Sequence, residues 1–317
     1  MEITVVGAGV IGLTSAISLR RAGFEANIVA ALPASETVAS SVAGAIWYPY
    51  RGPADSPAAG WGRHSLEIFT AGVREGVVGL RLLDMRVLTV DHEPDPWWAD
   101  EDRGFRRCGP ADLVPGYSDG YLQQTVVIDV IPHLRFLQSS FEELGGKVDK
   151  REIDTLDALA GPGHLVINCA GVRAGELAGD EEVHPIRGQV VRVRGEAISR
   201  VTILDGGPLG YCYVMPHGEE AVLGGTRRPG VWDRSVSDEV TADILARTAR
   251  LEPTLTSAEV VDVKVGLRPG RETVRLEHEA RDGTPGIIHN YGHGGNGWSL
   301  SWGSAAEVVG LALALAD

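Results

Sequence analysis

ITVVGAGVIGLTSAISLRRAGFEANIVAA, residues 3–31, decides the fold. Ile3 to Val6 is a short apolar run suited to a buried parallel strand. Gly7-Ala8-Gly9-Val10-Ile11-Gly12 follows, then helical apolar spacing from Leu13 to Ala22 and a stop at Gly23. Phe24 to Ala31 reads as a second strand. G-x-G-x-x-G between a strand and a helix is the fingerprint of a dinucleotide-binding βαβ unit. Gly7 is expected to make the turn, Gly9 to admit a pyrophosphate and Gly12 to let helix and strand pack closely. Ala8, Val10 and Ile11 count with them as cofactor contacts. The second strand should end in an acid that binds the ribose, yet it ends Ile28-Val29-Ala30-Ala31-Leu32, with Glu36 beyond Pro33. The ribose then falls to backbone or to the hydroxyls of Ser35, Thr37, Ser40 and Ser41.

The other end carries a second signal. IIHNYGHGGNGWSLSWGSA, residues 287–305, holds five glycines, His289, His293, Tyr291, Trp298 and Trp302, and an apolar helix-like run follows from Ala305 to Leu315. A glycine-rich loop feeding a helix presents free N–H groups and the positive end of the helix dipole to an electron-rich ligand.

The 317 residues are enough for two domains and a large core. Lys plus Arg is 29 and Asp plus Glu is 43, a net charge of −14. That balance argues against nucleic acid or an anionic membrane surface, since both need a basic face. Cys108, Cys169 and Cys212 are widely spaced and form no C-x-x-C, so neither a disulfide framework nor a zinc site is implied. Cys169, in VINCAG, reads as core. No metal-ligating cluster is evident. No apolar run reaches membrane-spanning length. A strand at the N-terminus and a C-terminus without a peroxisomal tail make the cytoplasm the expected location. The sequence leaves assembly open, a homodimer included.

Along the chain, a Pro/Gly-rich stretch from Tyr48 to Trp61 precedes a helix-like segment at 62–81 and a strand from Met85 to Val90. DHEPDPWWADED, residues 91–102, reads as a charged surface loop. Ile131 to Leu144 is helical, and His164 to Asn168 is a buried strand ending in Cys169-Ala170-Gly171. Residues 183–227 read as antiparallel strands (QVVRVR, TILD, YCYVMP, EAVLGG). Asp238 to Leu251 is helical, and Val260 to Leu267 leads back to the glycine loop. The expected division is a discontinuous dinucleotide domain (1–50, 125–182 and 260–317) and a β-rich substrate domain (51–124 and 183–259).

VVGAGVIGL, AGAIWYPY (Ala43 to Tyr50), NCAGVRAGEL (Asn168 to Leu177), RGQVVRV (Arg187 to Val193), YVMP (Tyr213 to Pro216), LGGT (Leu223 to Thr226), GLRP (Gly266 to Pro269) and HNYGHGG (His289 to Gly295) occur in the order found in one family. Together they resemble the D-amino-acid oxidase family of flavoproteins over nearly the whole chain. The resemblance implies an α/β fold, with a Rossmann-like FAD-binding domain and a β-rich substrate domain of the glutathione-reductase/p-hydroxybenzoate-hydroxylase type. It implies noncovalent FAD, a D-amino acid substrate and molecular oxygen as final acceptor. Products would be a 2-oxo acid, ammonia and hydrogen peroxide.

Moving the α-hydrogen to flavin as hydride requires a clamped substrate carboxylate, and a bidentate arginine suits a planar carboxylate. From the residues alone, Arg268 is either that clamp or a turn arginine; the resemblance implies the clamp, with Arg268 near the cofactor as well. It also implies that the Tyr213 hydroxyl touches the carboxylate. Relatives carry a second tyrosine in a lid loop where this chain has Leu209; Tyr211 shares the Tyr213 face of the strand. The resemblance further places Ser40, Ser41, Gly44, Ala45, Ile46, Trp47, Ile153, Ala170, Gly171, Gly294, Gly295, Asn296, Gly297, Trp298 and Ser299 at the cofactor. Ile46, Tyr48, Gly295 and Asn296 line the expected substrate pocket. Arg227 is a further pocket candidate, with a solvent-facing turn beside Arg228 as the alternative. It matches one arginine of the acidic-substrate branch, whose partner position is Gly206 here. No general base is demanded if the amine binds neutral, and His289 and His293 are expected to pack or bond around the loop.

Neutral D-amino acids are therefore the expected substrates. A D-aspartate/D-glutamate oxidase, a glycine-type amine oxidase and a non-catalytic Rossmann protein are the alternatives.

Overall fold

The computed structural model describes residues 1–37, 39–49 and 53–316; Tyr50, the last residue of AGAIWYPY, lies outside them. The chain opens with β1 (Glu2–Val6), α1 (Val10–Arg21) and β2 (Glu25–Ala30), then α2 (Pro57–Arg74), β3 (Leu80–Thr89), β4 (Arg106–Arg107) and β5 (Asp119–Ile128). Next come α3 (Val130–Glu143), β6 (Val148–Lys150), β7 (His164–Asn168), α4 (Ala174–Ala178), β8 (His184–Arg194), β9 (Arg200–Leu204), β10 (Cys212–His217), β11 (Glu220–Gly224) and β12 (Arg228–Pro229). The last elements are α5 (Asp238–Ala249), β13 (Glu259–Gly270), β14 (Arg275–Arg281), β15 (Thr284–Tyr291) and α6 (Gly297–Ala314).

Among the described residues the strands form two sheets. The first has the order β14-β15-β7-β1-β2-β6. The five strands β15, β7, β1, β2 and β6 run parallel, and β14 is an antiparallel edge. β1 is the central parallel strand, and its Ile3 and Val5 are fully buried, as the apolar run requires. The helices α1, α3 and α6 pack together over this sheet, and α2 lies against α6. Gly303 makes that last crossing close, because a Cβ there would run into the Trp61 backbone.

The second sheet has the order β12-β8-β11-β10-β9-β3-β5-β4, with β13 also on β8. It is mostly antiparallel, but β9 pairs parallel with β3, so the expected antiparallel run of residues 183–227 is not purely so. β13 pairs with β8 over its whole length, from Glu259 to Gly270. The chain therefore re-enters the first sheet only at β14, later than the expected boundary at 260. Likewise β5 stays in the second sheet through Ile128.

Three local expectations are corrected. The helix read at 62–81 is α2, ending at Arg74, because Gly76 (φ 70°) and Gly79 (φ 81°) take left-handed backbone that stops it before β3. Its start is set by Ser56, whose hydroxyl accepts from Ala59 N–H (3.3 Å), with Pro57 next. The last helix begins at Gly297 rather than Ala305; its first two turns are buried on every side, so no amphipathic period marks them. The charged 91–102 loop is largely exposed, as expected, except that its Trp98 folds inward. Trp98 is buried and meets Trp47, Tyr48 and Tyr121 edge-on, at centroid distances of 5.8, 5.4 and 5.6 Å.

Candidate functional site

One cleft runs between the two sheets, at the C-terminal ends of β1, β7 and β15, where open α/β sheets bind ligands. Its floor begins with the first glycine loop. Gly7 takes φ 108°, and a Cβ on it would sit 2.5 Å from the Cys169 carbonyl oxygen. A Cβ on Gly12 would collide with the Gly7 carbonyl. These two glycines are required by backbone contact alone, and they bring Gly9, Val10 and Ile11 to the cleft wall. Gly9 is the N-cap of α1 and supplies no side-chain cap. The Val10 N–H donates to Ser40 Oγ (3.0 Å).

Ser40 ties three segments together, since its carbonyl accepts from Trp298 Nε1 (3.2 Å). Beyond it, Gly44, Ala45, Ile46 and Tyr48 line the cleft. Gly44 has no room for a side chain, with Met215 Sδ 2.9 Å from where its Cβ would be. Tyr48 N–H donates to Ser299 Oγ (2.9 Å), which fixes this strand-like segment against the start of α6. Trp47 lies behind the wall, its Nε1 donating to the Gly62 carbonyl (2.9 Å).

The second glycine loop closes the same wall. Gly294, Gly295, Gly297, Trp298 and Ser299 line the cleft, and α6 has no side-chain cap at Asn296. Gly294 N–H donates to the Pro269 carbonyl (2.8 Å), so the loop is fastened to the residue after Arg268.

The second sheet supplies the roof. Arg268 and Gly188 are diagonal neighbours on paired strands β13 and β8. A side chain at Gly188 would occupy the space of the Arg268 guanidinium. One guanidinium nitrogen donates to the Thr226 carbonyl (3.1 Å). Tyr213 stands opposite Gly224 on β10 and β11, and its ring fills the space over that glycine. The guanidinium of Arg268 lies within hydrogen-bonding reach of the Tyr213 hydroxyl. Tyr211 packs edge-on to Tyr213 (5.6 Å) and also lines the cleft. Arg227 stacks over the Tyr211 ring at 3.9 Å from the centroid and lines the cleft too. The solvent-facing alternative for Arg227 is therefore set aside; Arg228 is the exposed one of the pair.

Burial moves Tyr48, Tyr213, His293 and Cys169 of the cleft away from neutral pH. Burial pushes the Tyr213 phenol up to about 12, against the nearby Arg268 cation. Burial raises Tyr48 still further, although Tyr121 hydrogen-bonds to it. Burial lowers His293 to about 3, so it is a neutral imidazole and a weak base. His289 is fully buried below the loop, bonded to Glu279 (3.0 Å) and Asn168 (3.4 Å), and burial lowers it as well. Cys169 borders the cleft, but its thiol faces Ser15 Oγ (3.9 Å) and burial raises it to about 12, consistent with an inert core cysteine.

Most of the expected residues converge on this cleft. Of the remainder, Gly7, Ala8 and Gly12 underlie the first loop, and Asn296 caps α6 with its backbone. Ser41 is buried against Thr37, Ala170 packs at the edge of the cluster beside Val6, and Ile153 is buried with Val6 and Val29 near the ends of β1 and β2. Sequence reading missed Gly188, Met215 and Val190 as cleft residues. The quoted RGQVVRV segment contains two of them, but its local pattern marks only a strand.

The residues present fit a dinucleotide whose ring system reaches the second loop. Two long helices, α1 and α6, turn uncapped N-termini on one cleft, a setting that favours an anionic and electron-rich ligand. Glycines 9, 294 and 295 put backbone rather than side chains on the wall beside them.

Comparison with known proteins agrees with this geometry. The family model described as FAD dependent oxidoreductase (DAO) matches residues 2–311. The chain is 40% identical to a D-amino-acid oxidase of Rubrobacter xylanophilus over 309 residues, 97% of this chain and 94% of that protein. It is 34% identical to a D-aspartate oxidase of Homo sapiens over 324 residues, 98% and 94% of the two chains. Among solved structures, a glycine oxidase from Geobacillus kaustophilus matches with a TM-score of 0.83 at 21% identity, covering 98% of this chain and 94% of that one, a likeness of fold.

Proposed function

Because the chain belongs to the DAO family of FAD dependent oxidoreductases, we propose that it oxidises neutral D-amino acids to 2-oxo acids, with release of ammonia and hydrogen peroxide. The observation that carries this reading is the pairing of Arg268 and Tyr213 on one side of a cleft whose other side is the glycine loop and the α6 N-terminus. FAD bound there would supply a two-electron acceptor that oxygen can regenerate.

The chain's own residues do the rest. Gly9 to Ile11, Ser40 and Gly44 to Ile46 would hold the cofactor from one end, and Gly294 to Ser299 from the other. Arg268 accepts the substrate carboxylate in a bidentate pair, and Tyr213 donates a further hydrogen bond. Both side chains are set over glycines, which fixes their positions before substrate arrives. The amine binds neutral, so orientation rather than a base is asked of the site. Neutral His293 and the high Tyr213 pKa are consistent with that. Ile46, Tyr48 and Met215 form an apolar and aromatic wall suited to an uncharged side chain.

Arg227, stacked on Tyr211 in the cleft, favours a second reading in which the side chain carries its own carboxylate. Among the described residues, no helix is long and apolar enough to cross a membrane. The test is a panel of D- and L-amino acids assayed by peroxide release and by anaerobic bleaching of the flavin. Bleaching by L-amino acids alone, or by none of the panel, overturns the reading.

A further inference from the structure

Arg268 and the glycine loop belong to different sheets, yet the reaction needs them at a fixed separation. One carboxylate joins the two. Asp180 lies between α4 and β8, with its side chain 8% exposed. Its Oδ2 accepts from Arg271 Nε (3.0 Å) and from the Tyr291 hydroxyl (2.8 Å). Its Oδ1 accepts from the Glu182 N–H (3.0 Å). Arg271 follows directly on β13, the strand of Arg268, in the second sheet. Tyr291 ends β15, in the first sheet, and leads into the glycine loop.

The surroundings support a joint rather than a chance ion pair. Gly292, at φ 85°, has the Arg271 side chain 2.9 Å from where its Cβ would be, so the two strand ends touch. Arg275 Nη1 donates to the Tyr291 hydroxyl (2.8 Å) and leaves that hydroxyl's own proton for Asp180. The Gly294 to Pro269 backbone bond crosses the same junction beside Arg268. Removing the carboxylate would leave Arg271 Nε and the Tyr291 hydroxyl proton without the acceptor they share, a loss that is costly where the groups are largely desolvated.

We propose that Asp180 is a positioning residue: its carboxylate clasps the strand of Arg268 to the strand that leads into the glycine loop, and so sets the distance between the carboxylate clamp and the cofactor face. This rests on the reading of Arg268 as the carboxylate clamp. Asp180 touches neither substrate nor cofactor in this role. It acts through Arg271 and Tyr291.

The test uses the holoenzyme and 2-aminobenzoate, an aromatic carboxylate with no Cα–H to oxidise, titrated while the flavin absorption is followed. Asp180→Asn keeps the shape and removes the charge. A misplaced clamp should weaken 2-aminobenzoate by roughly tenfold or more, since a displacement on the order of 1 Å is costly to an oriented contact. FAD content should stay unchanged. Arg271→Met and Tyr291→Phe each cut one arm and should shift the same Kd in the same direction, which keeps the test decisive if Asp180→Asn does not fold. A 2-aminobenzoate Kd within twofold of wild type in these FAD-loaded variants overturns the clasp, whatever happens to their Tm. Flavin bleaching by D-alanine in the wild type is scored separately, so a failure of the proposed reaction is not mistaken for a failure of the clasp.

Discussion

The guanidinium of Arg268 occupies the space over Gly188 that any side chain there would fill. The glycine thus sets where the cation can sit, and the Thr226 carbonyl holds it. Arg268→Ala is expected to leave FAD bound and to lower kcat/KM by roughly a hundredfold or more, about 3 kcal/mol, as one charged bidentate contact is lost. Gly188→Ala should reproduce part of that loss, on the order of tenfold, by pushing the guanidinium aside. Steady-state kinetics on FAD-loaded protein decides it; near-wild-type values for Arg268→Ala would remove the clamp assignment.

Tyr213→Phe removes a single hydrogen bond and should cost on the order of tenfold in kcat/KM. Because burial holds the phenol up at about 12, no ionisation of Tyr213 should limit the rate between pH 6 and 10 (about two units below its pKa). A Phe variant more damaged than Arg268→Ala would reverse the two roles.

Gly9 and Gly12 should fail differently. Gly12→Ala drives a Cβ into the Gly7 carbonyl, a backbone collision that should prevent the βαβ unit from forming and leave insoluble protein. Gly9→Val meets only Ser40 Oγ, 3.2 Å from the first added carbon, so the chain should fold while the branched side chain blocks the pyrophosphate's approach. Soluble but colourless Gly9→Val protein is the expected result. A fully yellow preparation contradicts the assignment of this loop.

Buried histidines make stability depend on mild acid; burial lowers His133 and His289 as well as His293 and His217. Burial lowers His293 to about 3; burial, followed by Arg192 and Arg81, lowers His217 to about 3. The unfolded chain, with histidine near 6.5, binds more protons between those values, so stability falls as pH drops below about 6.5. His293 and His217 should each cost on the order of 2 kcal/mol at pH 5 relative to pH 7.5. Depressed carboxylates such as Asp112 and Glu220 have the same sign but act at lower pH, below the ordinary carboxylate values. Urea unfolding at pH 7.5 and 5 measures the window. An equal loss in wild type and His293→Asn would show that His293 does not contribute.

Substrate preference tests Arg227. We expect kcat/KM for D-alanine, D-valine and D-methionine to exceed that for D-aspartate and D-glutamate, because a second buried carboxylate needs more than one cation to offset its desolvation. Gly206, where the acidic-substrate branch has a second arginine, instead sits in a turn at φ 80° with its carbonyl accepting from Tyr117. A preference for the acidic pair that disappears in Arg227→Ala would establish the second reading.

The sequence by itself determined the βαβ unit, strand β7 and the order of the segments that build the cleft. Each of these is a local matter: a glycine's steric freedom, a run of apolar residues, a stop at Gly23. Arg268 could be singled out only through its motif, since a Leu-Arg-Pro turn alone fits a surface as well as a site. Tertiary structure decided the rest. Hydrophobic periodicity reports how deeply a segment is buried and says nothing about which strand lies beside it, so β13 could be read as a strand but not assigned to the second sheet. The start of α6 was hidden because a helix buried on all sides loses its period. The inward fold of Trp98, the stacking of Arg227 on Tyr211, the room that Gly188 gives Arg268 and the two-sided grip of Asp180 are all contacts between residues distant in sequence. Their energies depend on distance and desolvation, which exist only once the two sheets have closed on one another.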